Sequence, residues 1–526
     1  MGTTNTQRPA DRDHVTPPRA ATQAETVPSS HLEKACKAAD IRKRAPRHAK
    51  QLRVFLANVG RRQPMYPLAT PPMGLMYLAA YLRTKFDVDI RVINQRCEGF
   101  SDNELVWQAV DHHADIVGFS ALTPAAHALG GLTRKVRQAL PNALILLGGP
   151  HVSAFRERAI EGTEADAAVV GEGELALEMI VNTYLDDGDL SKVPGLIWRD
   201  ADRHVITNPG FIPHIADLDS LPFPAYDLID VRKYWRLQSM PPIPRRRYAS
   251  IVSSRGCPYH CNWCHRIFGK RFRAHSAERV VDEIEYYKRT LGIDDVEFID
   301  DIFNHDRKRV IEFSQLVGQR DLRIKIAFPN AIRADALNQA TVDALADAGT
   351  YFCSFSLESG SPRLQKLIGK HLDIPRFLEG IEMAVQRGIF ANGFNMLGFP
   401  TETEAEMQQT IDVARHSLLH TASFFTVTPF PNTELYDLVQ RTHPEKLANI
   451  SYADTDFSRI PVNLAAVPDE VLFYYQRRAN RQFFMNPVRL LRIVRDFPQP
   501  HRLPFYIPIF ASRLTKGLFT AAARND

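Results

Sequence analysis

Beyond residue 50, short apolar runs alternate with longer stretches whose apolar residues recur every three or four positions. These are the two periods that separate strands from helices. The first series reads LRVFLANV then PMGLMYLAAYLR, DIRVIN then NELVWQAVDHH, DIVGFSAL then AHALGGLTRKVRQAL, ALILLGG then VSAFRERAI, and DAAVVG then ELALEMIVNTY. Five strand and helix pairs predict an α/β fold over residues 51–190, a doubly wound parallel sheet with helices on both faces. From 191 to 245 the rhythm stops, and Pro194, Pro209, Pro213, Pro222, Pro224, Pro241, Pro242 and Pro244 punctuate the chain. That stretch reads as a Pro-rich linker with one hairpin. A second alternation over 246–440 runs ASIVSSRG, VEFIDDIF, KIAFPNAI, YFCSFSLE, FANGFNMLGF and SFFTVTPF, which predicts six strands of an incomplete parallel barrel. Ligands of such folds gather at the C-terminal ends of the strands. Residues 441–526 turn helical, basic and aromatic, whereas residues 1–50, rich in Thr, Pro, Ala and charge, read as a disordered basic extension.

Composition changes this picture little. Hydrophobic residues at 44% and charged residues at 24% suit soluble cores, and 526 residues exceed what one core holds. Charge distribution says more. Residues 1–50 carry ten Lys/Arg against five Asp/Glu, and the last 51 residues carry ten against two, so the net charge of +5 sits at the ends and the middle is acidic. A nucleic-acid reader carries its positive charge on the folded body, so no nucleic-acid partner is expected. Six cysteines, three of them within eight positions, argue against a disulfide framework and suit a reducing cytoplasm. No secretory signal follows MGTTNTQRPADRDH, and the late run LPFYIPIFASRLTKGLF is broken by Pro508, Arg513 and Lys516, so no membrane span is expected.

The candidate chemistry begins with RGCPYHCNWCHRIFGKRFR, just after the first barrel strand, where Cys257, Cys261 and Cys264 form a C-x3-C-x2-C array on a loop. Thiolates hold iron-sulfur clusters, a cubane usually takes four, and three leave one iron open for a substrate or cofactor. Zinc competes and would need a fourth ligand from His260 or His265. A chance grouping of core cysteines is the third reading.

This loop resembles that of the radical S-adenosylmethionine (SAM) superfamily, with Trp263 as the aromatic residue before the third cysteine. The likeness covers about residues 246–440. It implies a four-iron, four-sulfur (4Fe-4S) cluster whose open iron is chelated by SAM, and whose reduction yields a 5'-deoxyadenosyl radical. SAM brings an ammonium and a sulfonium, so carboxylates should face it. By the resemblance, Asp300 and Asp301 in IDDIF take the amine position and Glu358 in LESGS contacts ribose or amine. Arg333 is the candidate partner of the SAM carboxylate. Asn395 in NMLGFPTET and Pro429 in TPFPNTELY resemble stretches that close the adenosine pocket. Each of these acids and turns can instead be a helix cap or a simple turn.

The first domain, with GFSALT, LLGGPH and VVGEGE at its strand ends, resembles the cobalamin-binding radical SAM class, a likeness spanning about 51–440. Ser120 and Thr123 offer hydroxyls, Gly148 and Gly149 let the backbone approach a bulky ligand, and Gly171, Glu172 and Gly173 repeat this on the next strand. A dinucleotide competes through GEGELA, which satisfies G-x-G-x-x-A but follows the fifth strand rather than the first. A domain without a ligand is the third possibility. Cobalamin proteins that place a histidine under cobalt share D-x-H-x-x-G after the first strand. Here that place reads NVGRRQP, and Asp111 and His113 begin such a pattern only to meet Ile116 where glycine is needed. No histidine ligand is expected, and the loop Arg61 to Pro72, with Met65, Tyr66 and Thr70, is the candidate cover of the lower cobalt face.

The resemblance implies a SAM- and cobalamin-dependent C-methyltransferase: the radical removes hydrogen from an unactivated carbon and methylcobalamin delivers the methyl group. An oxidative cyclase similar to the anaerobic magnesium-protoporphyrin monomethyl ester cyclase is the alternative, and a non-catalytic cobalamin or redox sensor is the alternative of another class. Expected partners are a small-molecule substrate (natural product, lipid or tetrapyrrole-like) and an external electron donor such as flavodoxin or ferredoxin. From Gln476 onward the tail carries Phe483, Phe484, Leu490, Leu491, Ile493 and Val494 among arginines. It reads either as peripheral contact with the inner membrane face or as a helical cap on the barrel mouth with its arginines in solvent.

Overall fold

The computed structural model describes residues 51–62, 68–454, 462–500 and 504, apart from 187, 242, 244, 245 and 266. The N-terminal extension, Met65, Tyr66 and the end of the tail lie outside the described residues. The first sheet is built from β1 (Leu52–Val59), β2 (Val88–Asn94), β3 (Ile116–Ala121), β4 (Leu144–Gly148) and β5 (Ala167–Ala168), parallel in the order β2-β1-β3-β4-β5. Alternation along β1 explains the two layers of helices. Leu52, Val54 and Leu56 bury against Met76 and Tyr77 of α1 (Met73–Lys85). Phe55, Ala57 and Val59 bury against α2 (Asp102–Asp111) and α3 (Leu129–Ala139) on the other face. The chain order reverses between β1 and β3, which opens a ligand crevice at their C-terminal ends. The short helix α4 (Pro150–Phe155) follows β4, and α5 (Glu174–Asp186) follows β5.

DAAVVG predicts a full fifth strand, but only two residues pair as β5. Gly171 turns at φ +80° and its N–H donates to Ser153 Oγ at 3.0 Å, drawing the chain off the sheet. The Pro-rich stretch supplies the hairpin β6 (Ile197–Arg199) and β7 (Val205–Thr207), which extends the sheet antiparallel to β5. The rest of that stretch is packed rather than a free linker. Tyr226 is buried with its hydroxyl bonded to the N–H and C=O of Ser250 at 2.8 and 2.9 Å, and Ala225 N–H donates to Met76 O at 3.2 Å. Side chains and neighbouring backbone thus satisfy the polar groups that prolines leave without a ladder.

The second sheet runs β8 (Tyr248–Ile251), β11 (Asp295–Phe298), β12 (Lys325–Ile332), β13 (Thr350–Glu358), β14 (Phe390–Leu397) and β15 (Thr421–Thr426), all parallel and in chain order. Between β8 and β11 lie the two-residue strands β9 (Ser254–Arg255) and β10 (Arg273–Ala274) and the helix α6 (Ala277–Leu291). Ser276 caps α6, Asp306 caps α7 (Arg307–Gln319), and a Thr403/Glu406 capping box starts α8 (Glu404–His416).

The tail forms α9 (Asp469–Phe484) and α10 (Pro487–Asp496). Among the described residues, α10 does not cover the mouth. Ile493 and Phe497 pack with Ile243, Ala327, Phe352 and Phe390, residues at or before the N-terminal ends of the strands, so α10 closes the opposite end of the barrel. Nor are all its arginines in solvent. Arg489 is 1% exposed, and its guanidinium donates to the carbonyls of Arg415 at 2.6 Å, of Ala414 and Ser417 at 3.4 Å, and of Leu419. Carbonyls near the end of α8 need donors, and this guanidinium reaches four of them, sharing Ala414 O with Ser417 Oγ at 2.7 Å and Leu419 O with Arg492 Nη2 at 3.4 Å.

Candidate active site

The three cysteines sit on the loop 256–272, whose neck is the antiparallel pair β9 and β10. Close backbone approaches fix its course. Gly256 has φ +83°, and a Cβ there would lie 2.3 Å from Arg271 O. Gly369, at φ +65°, lets the chain pass His260, whose carbonyl would stand 2.5 Å from an added Cβ. Asn262 N–H donates to Ile368 O at 3.0 Å, and Cys257 N–H to Gly269 O at 3.3 Å. The thiols share one electrostatic neighbourhood: burial first, then Cys261, Cys257, Asp301 and Glu358, push the Cys264 thiol up to about 12. Their sulfurs do not converge as a zinc site requires. A tetrahedral zinc with bonds of about 2.3 Å holds its ligand atoms about 3.8 Å apart. Among the described residues, the one trio of His, Cys, Asp or Glu whose ligand atoms lie within 4.8 Å of one another is Asp200, Asp202 and His204, an acidic turn of the β6–β7 hairpin. Three thiols on one short loop suit a cubane, in which each binds a different iron.

Acidic groups at the neighbouring strand ends divide into two kinds. Asp300, buried after β11, has both oxygens occupied, accepting from Ser253 N–H at 2.6 Å and Ser253 Oγ at 2.5 Å. Arg309 Nη2 donates to the same Ser253 hydroxyl at 2.7 Å. Asp300 therefore holds the strand end that launches the cysteine loop. Asp301 is exposed, takes the Gly256 N–H, and has its carboxyl pushed up to about 6 by desolvation and by Asp300. With thiols beside it, this acid makes a site whose charge a cationic ligand such as SAM would relieve. Glu358 ends β13 at φ +64° and pairs with Lys370 Nζ at 3.1 Å.

Other predicted contacts have different tasks. The Arg333 guanidinium is held by Asp335 at 2.9 and 3.1 Å and by Lys370 O at 3.0 Å, and it lies 4.0 Å over the ring of Tyr259 in the cysteine loop. It braces that loop instead of waiting for a carboxylate. Asn395 is fully buried between half-buried Phe394 and Met396, so strand alternation turns it to the outer face, where Nδ2 donates to Ser423 O at 3.3 Å. Trp263 packs edge-on to Phe399 at 5.6 Å, in the turn after β14. Pro429 O accepts from the Tyr452 hydroxyl at 2.8 Å. Sequence reasoning missed Ser253, Arg309, Tyr259 and Lys370. It also missed Glu402, whose Oε2 accepts from Gly398 and Phe399 N–H at 2.6 and 2.9 Å. The only signal for these was proximity to the motifs.

At the first domain's strand ends, a Cβ on Gly148 would meet nothing within 4 Å, and one on Gly149, at φ +84°, would lie 2.3 Å from Ser120 Oγ. Beside them is a cavity of about 370 Å³ lined by Thr123, His151, Phe155, Arg158 and Gly162 from this domain and Tyr452 from the C-terminal region. Burial pushes His151 down to about 4, and its buried Nδ1 has no hydrogen-bond partner among the described residues. The open space at Gly148 and an unsatisfied neutral imidazole suit the polar edge of a ligand such as a corrinoid. Thr70 O accepts from Asn94 Nδ2 at 2.9 Å at the edge of the same crevice. Two expected contacts are corrected. Gly173 faces Leu78, 2.9 Å from an added Cβ, so it serves the packing of α1 on α5. Glu172 is buried in ion pairs with Arg255 at 3.0 Å and with Arg273.

Two family models match the chain: the B12 binding domain over residues 66–181 and the Radical SAM superfamily over residues 251–414. An uncharacterized methyltransferase of Pyrococcus horikoshii is 31% identical over 370 residues, 70% of this chain and 78% of that protein. The anaerobic magnesium-protoporphyrin IX monomethyl ester cyclase of Rubrivivax gelatinosus is 24% identical over 424 residues, 79% of this chain and 74% of that protein. The solved structure of the cobalamin-dependent SAM radical enzyme OxsB, with aqua-cobalamin and SAM bound, shares the fold. Its TM-score is 0.69 at 16% identity, covering 92% of this chain and 76% of that one.

Proposed function

Because the chain belongs to the radical SAM superfamily and carries a B12-binding domain ahead of its barrel, we propose that it is a C-methyltransferase acting on an unactivated carbon of a small molecule. The observation that carries the reading is the meeting of two strand-end sites: a three-thiol loop beside an acid, and a glycine-rimmed crevice across the domain junction. Cys257, Cys261 and Cys264 would hold the cluster, Asp301 and Glu358 would face SAM, and Ser120, Thr123, Gly148 and Gly149 would border the corrin. When bound, these cofactors supply a 5'-deoxyadenosyl radical from SAM and a methyl group from methylcobalamin.

The chain's own residues orient and shield. Asp300, Ser253 and Arg309 fix the first turn of the cysteine loop, and Arg333 fixes its middle through Tyr259. Phe155 meets Tyr452 edge-on and Tyr452 meets Phe430 at a tilt, with ring centres 5.4 and 5.5 Å apart, an aromatic wall across the junction that would help shield a radical from water. On the lumen face of the barrel, Phe394, Met396 and Phe425 are half-buried and Asn392 is satisfied by Ser354 and Thr421, which favours a substrate with an apolar carbon skeleton, whether natural product, lipid or tetrapyrrole-like. Outside the cluster motif the cysteines are Cys36, Cys97 and Cys353, too dispersed to form a second cluster motif, so an external donor such as flavodoxin or ferredoxin supplies the electron.

Anaerobic reconstitution followed by reductive assay tests this. The reading expects 5'-deoxyadenosine and a product heavier by one methyl, and no 5'-deoxyadenosine from cluster-loaded protein refutes it. An oxidised or ring-closed product without an added methyl group supports the cyclase reading, which the alignment of the Rubrivivax cyclase over both domains favours as second.

The finer reading of the tail is contact with an anionic bilayer. Met485, Val488, Leu491 and Val494 are 66, 69, 72 and 54% exposed in one stripe beside Arg495. Among the described residues no helix is long and apolar enough to cross a membrane. Flotation with anionic vesicles that survives Leu491→Glu refutes this contact.

A further inference from the structure

We propose that Glu172 is a positioning residue that bolts the B12-binding domain to the neck of the cysteine loop and thereby sets the separation of the two cofactors. The inference rests on the functional reading above but concerns residues that reading does not use.

Arg255 and Arg273 are direct cross-strand partners in the β9 and β10 pair, at the two ends of the loop that carries the cysteines. Both reach across the domain junction to one carboxylate in the turn after β5. Glu172 Oε2 accepts from Arg255 Nη1 at 3.0 Å and Arg273 Nη1 at 3.2 Å, and Oε1 accepts from Arg273 Nη2. Arg255 Nη2 donates to Glu174 Oε1 at 2.6 Å, and Arg273 Nη1 also donates to Ile215 O at 2.6 Å. None of the four charged side chains exceeds 5% exposure. The guanidinium of Arg255 lies 5.3 Å from the ring of Tyr77 on α1 and 5.4 Å from that of Phe268 in the cysteine loop, so it is gripped from both domains.

Two features make this more than domain glue. Arg255 is two residues from Cys257, with only Gly256 between them, and it is paired with Arg273 at the neck, so a change at the guanidinium moves the cysteine loop as one body relative to the B12-binding domain. Glu172 lies between Gly171, which bends the chain at φ +80° at the edge of the corrin crevice, and Gly173, which lets α1 close on α5. Two buried arginines balance two buried glutamates, with the half-exposed His214 Nδ1 3.7 Å from Glu172 Oε1 at the rim, so removing the Glu172 charge leaves buried guanidinium charge uncompensated and forces the junction to rearrange. Misplacement of reacting groups by about 1 Å costs on the order of 100-fold in rate.

The test uses full-length protein reconstituted with iron, sulfide and cobalamin, comparing wild type, Glu172→Gln and the surface control Asp227→Asn. Low-temperature electron paramagnetic resonance of the Co(II) corrin beside the reduced cluster reads the spin interaction between the two centres. Absorbance reads methylcobalamin formed from SAM, and chromatography reads 5'-deoxyadenosine. We expect Glu172→Gln to load both cofactors and to show a changed spin interaction. Methylcobalamin formation should fall on the order of 100-fold while 5'-deoxyadenosine formation, which needs only the barrel, stays within about twofold. An unchanged spin interaction and an unchanged ratio of the two products overturn the proposal. Should Glu172→Gln fail to fold, Arg273→Lys, which keeps the charge but loses the forked contact, is read by the same criteria. Wild-type protein that binds no cobalamin would refute the functional reading and this proposal with it, whereas cobalamin-loaded protein in which Glu172→Gln matches wild type overturns this proposal alone.

Discussion

Replacing Glu402 by glutamine should make the barrel's stability less sensitive to alkali. Glu402 is fully buried in the turn after β14, and its carboxylate caps the N–H groups of Gly398 and Phe399 at 2.6 and 2.9 Å. Its Oε1 has no hydrogen-bond partner among the described residues, and burial pushes its carboxyl from 4.5 up to about 8. That rise is worth about 5 kcal/mol at 1.36 kcal/mol for each tenfold change in proton affinity. A carboxyl whose folded pKa lies above its unfolded value favours the fold while protonated. Its contribution is whole below pH 4.5 and is lost as the pH rises through 8. Glutamine keeps an oxygen for the two N–H groups and cannot ionise. From pH 5 to pH 9 the unfolding free energy of Glu402→Gln should therefore gain about 4 kcal/mol on wild type, measured as the gap between paired urea titrations so that other groups cancel. A gap that stays constant to within about 1 kcal/mol across that range would show that Glu402 titrates as an ordinary carboxylate, and the burial argument would fail. Phe399 packs on Trp263 of the cysteine loop, so the same variant should also hold its iron better at pH 9 than wild type does, as read by metal content after gel filtration.

Cys261→Ala should lose the cluster's visible absorbance and reduce 5'-deoxyadenosine to the background of protein without iron, since two thiolates cannot hold a cubane that already lacks one. Gly369→Ala puts a methyl 2.5 Å from His260 O at a φ of +65°, so it should lower the melting temperature and, by displacing the loop, cut iron loading; full loading at an unchanged melting temperature would refute the close approach. Arg489→Met takes the guanidinium from the carbonyls of Arg415 and Ser417, while those of Ala414 and Leu419 keep other donors, and should cost about 2 kcal/mol, with faster hydrogen exchange in α10 and unchanged SAM cleavage per folded chain, because that helix closes the end away from the cysteines.

What could be read from the chain without its fold follows a physical line. The parallel strands were legible because both faces are buried, which writes long apolar runs such as LRVFLANV and YFCSFSLE. The cysteine spacing was legible because three ligands must share one cluster within a short loop. Residues whose work depends on a partner far along the chain left no such trace. Nothing local distinguishes the glutamate of GEGE as a mate for Arg255 and Arg273, 83 and 101 residues away, and the glycines on either side suggested a ligand site instead. Arg333 misled for a related reason: a strand-end arginine resembles a carboxylate binder until Asp335 and Tyr259 are seen to occupy both its edge and its face. The tail misled in a third way, because helical period reveals which residues share a face but not which end of the barrel that face closes. In each case the sequence pattern reports local geometry and the type of chemistry. The partner that assigns a charged side chain to catalysis, bracing or docking is fixed only when distant strands come together, so the buried charged groups at the domain junction, more than the motif itself, decide how this chain aligns its two cofactor sites.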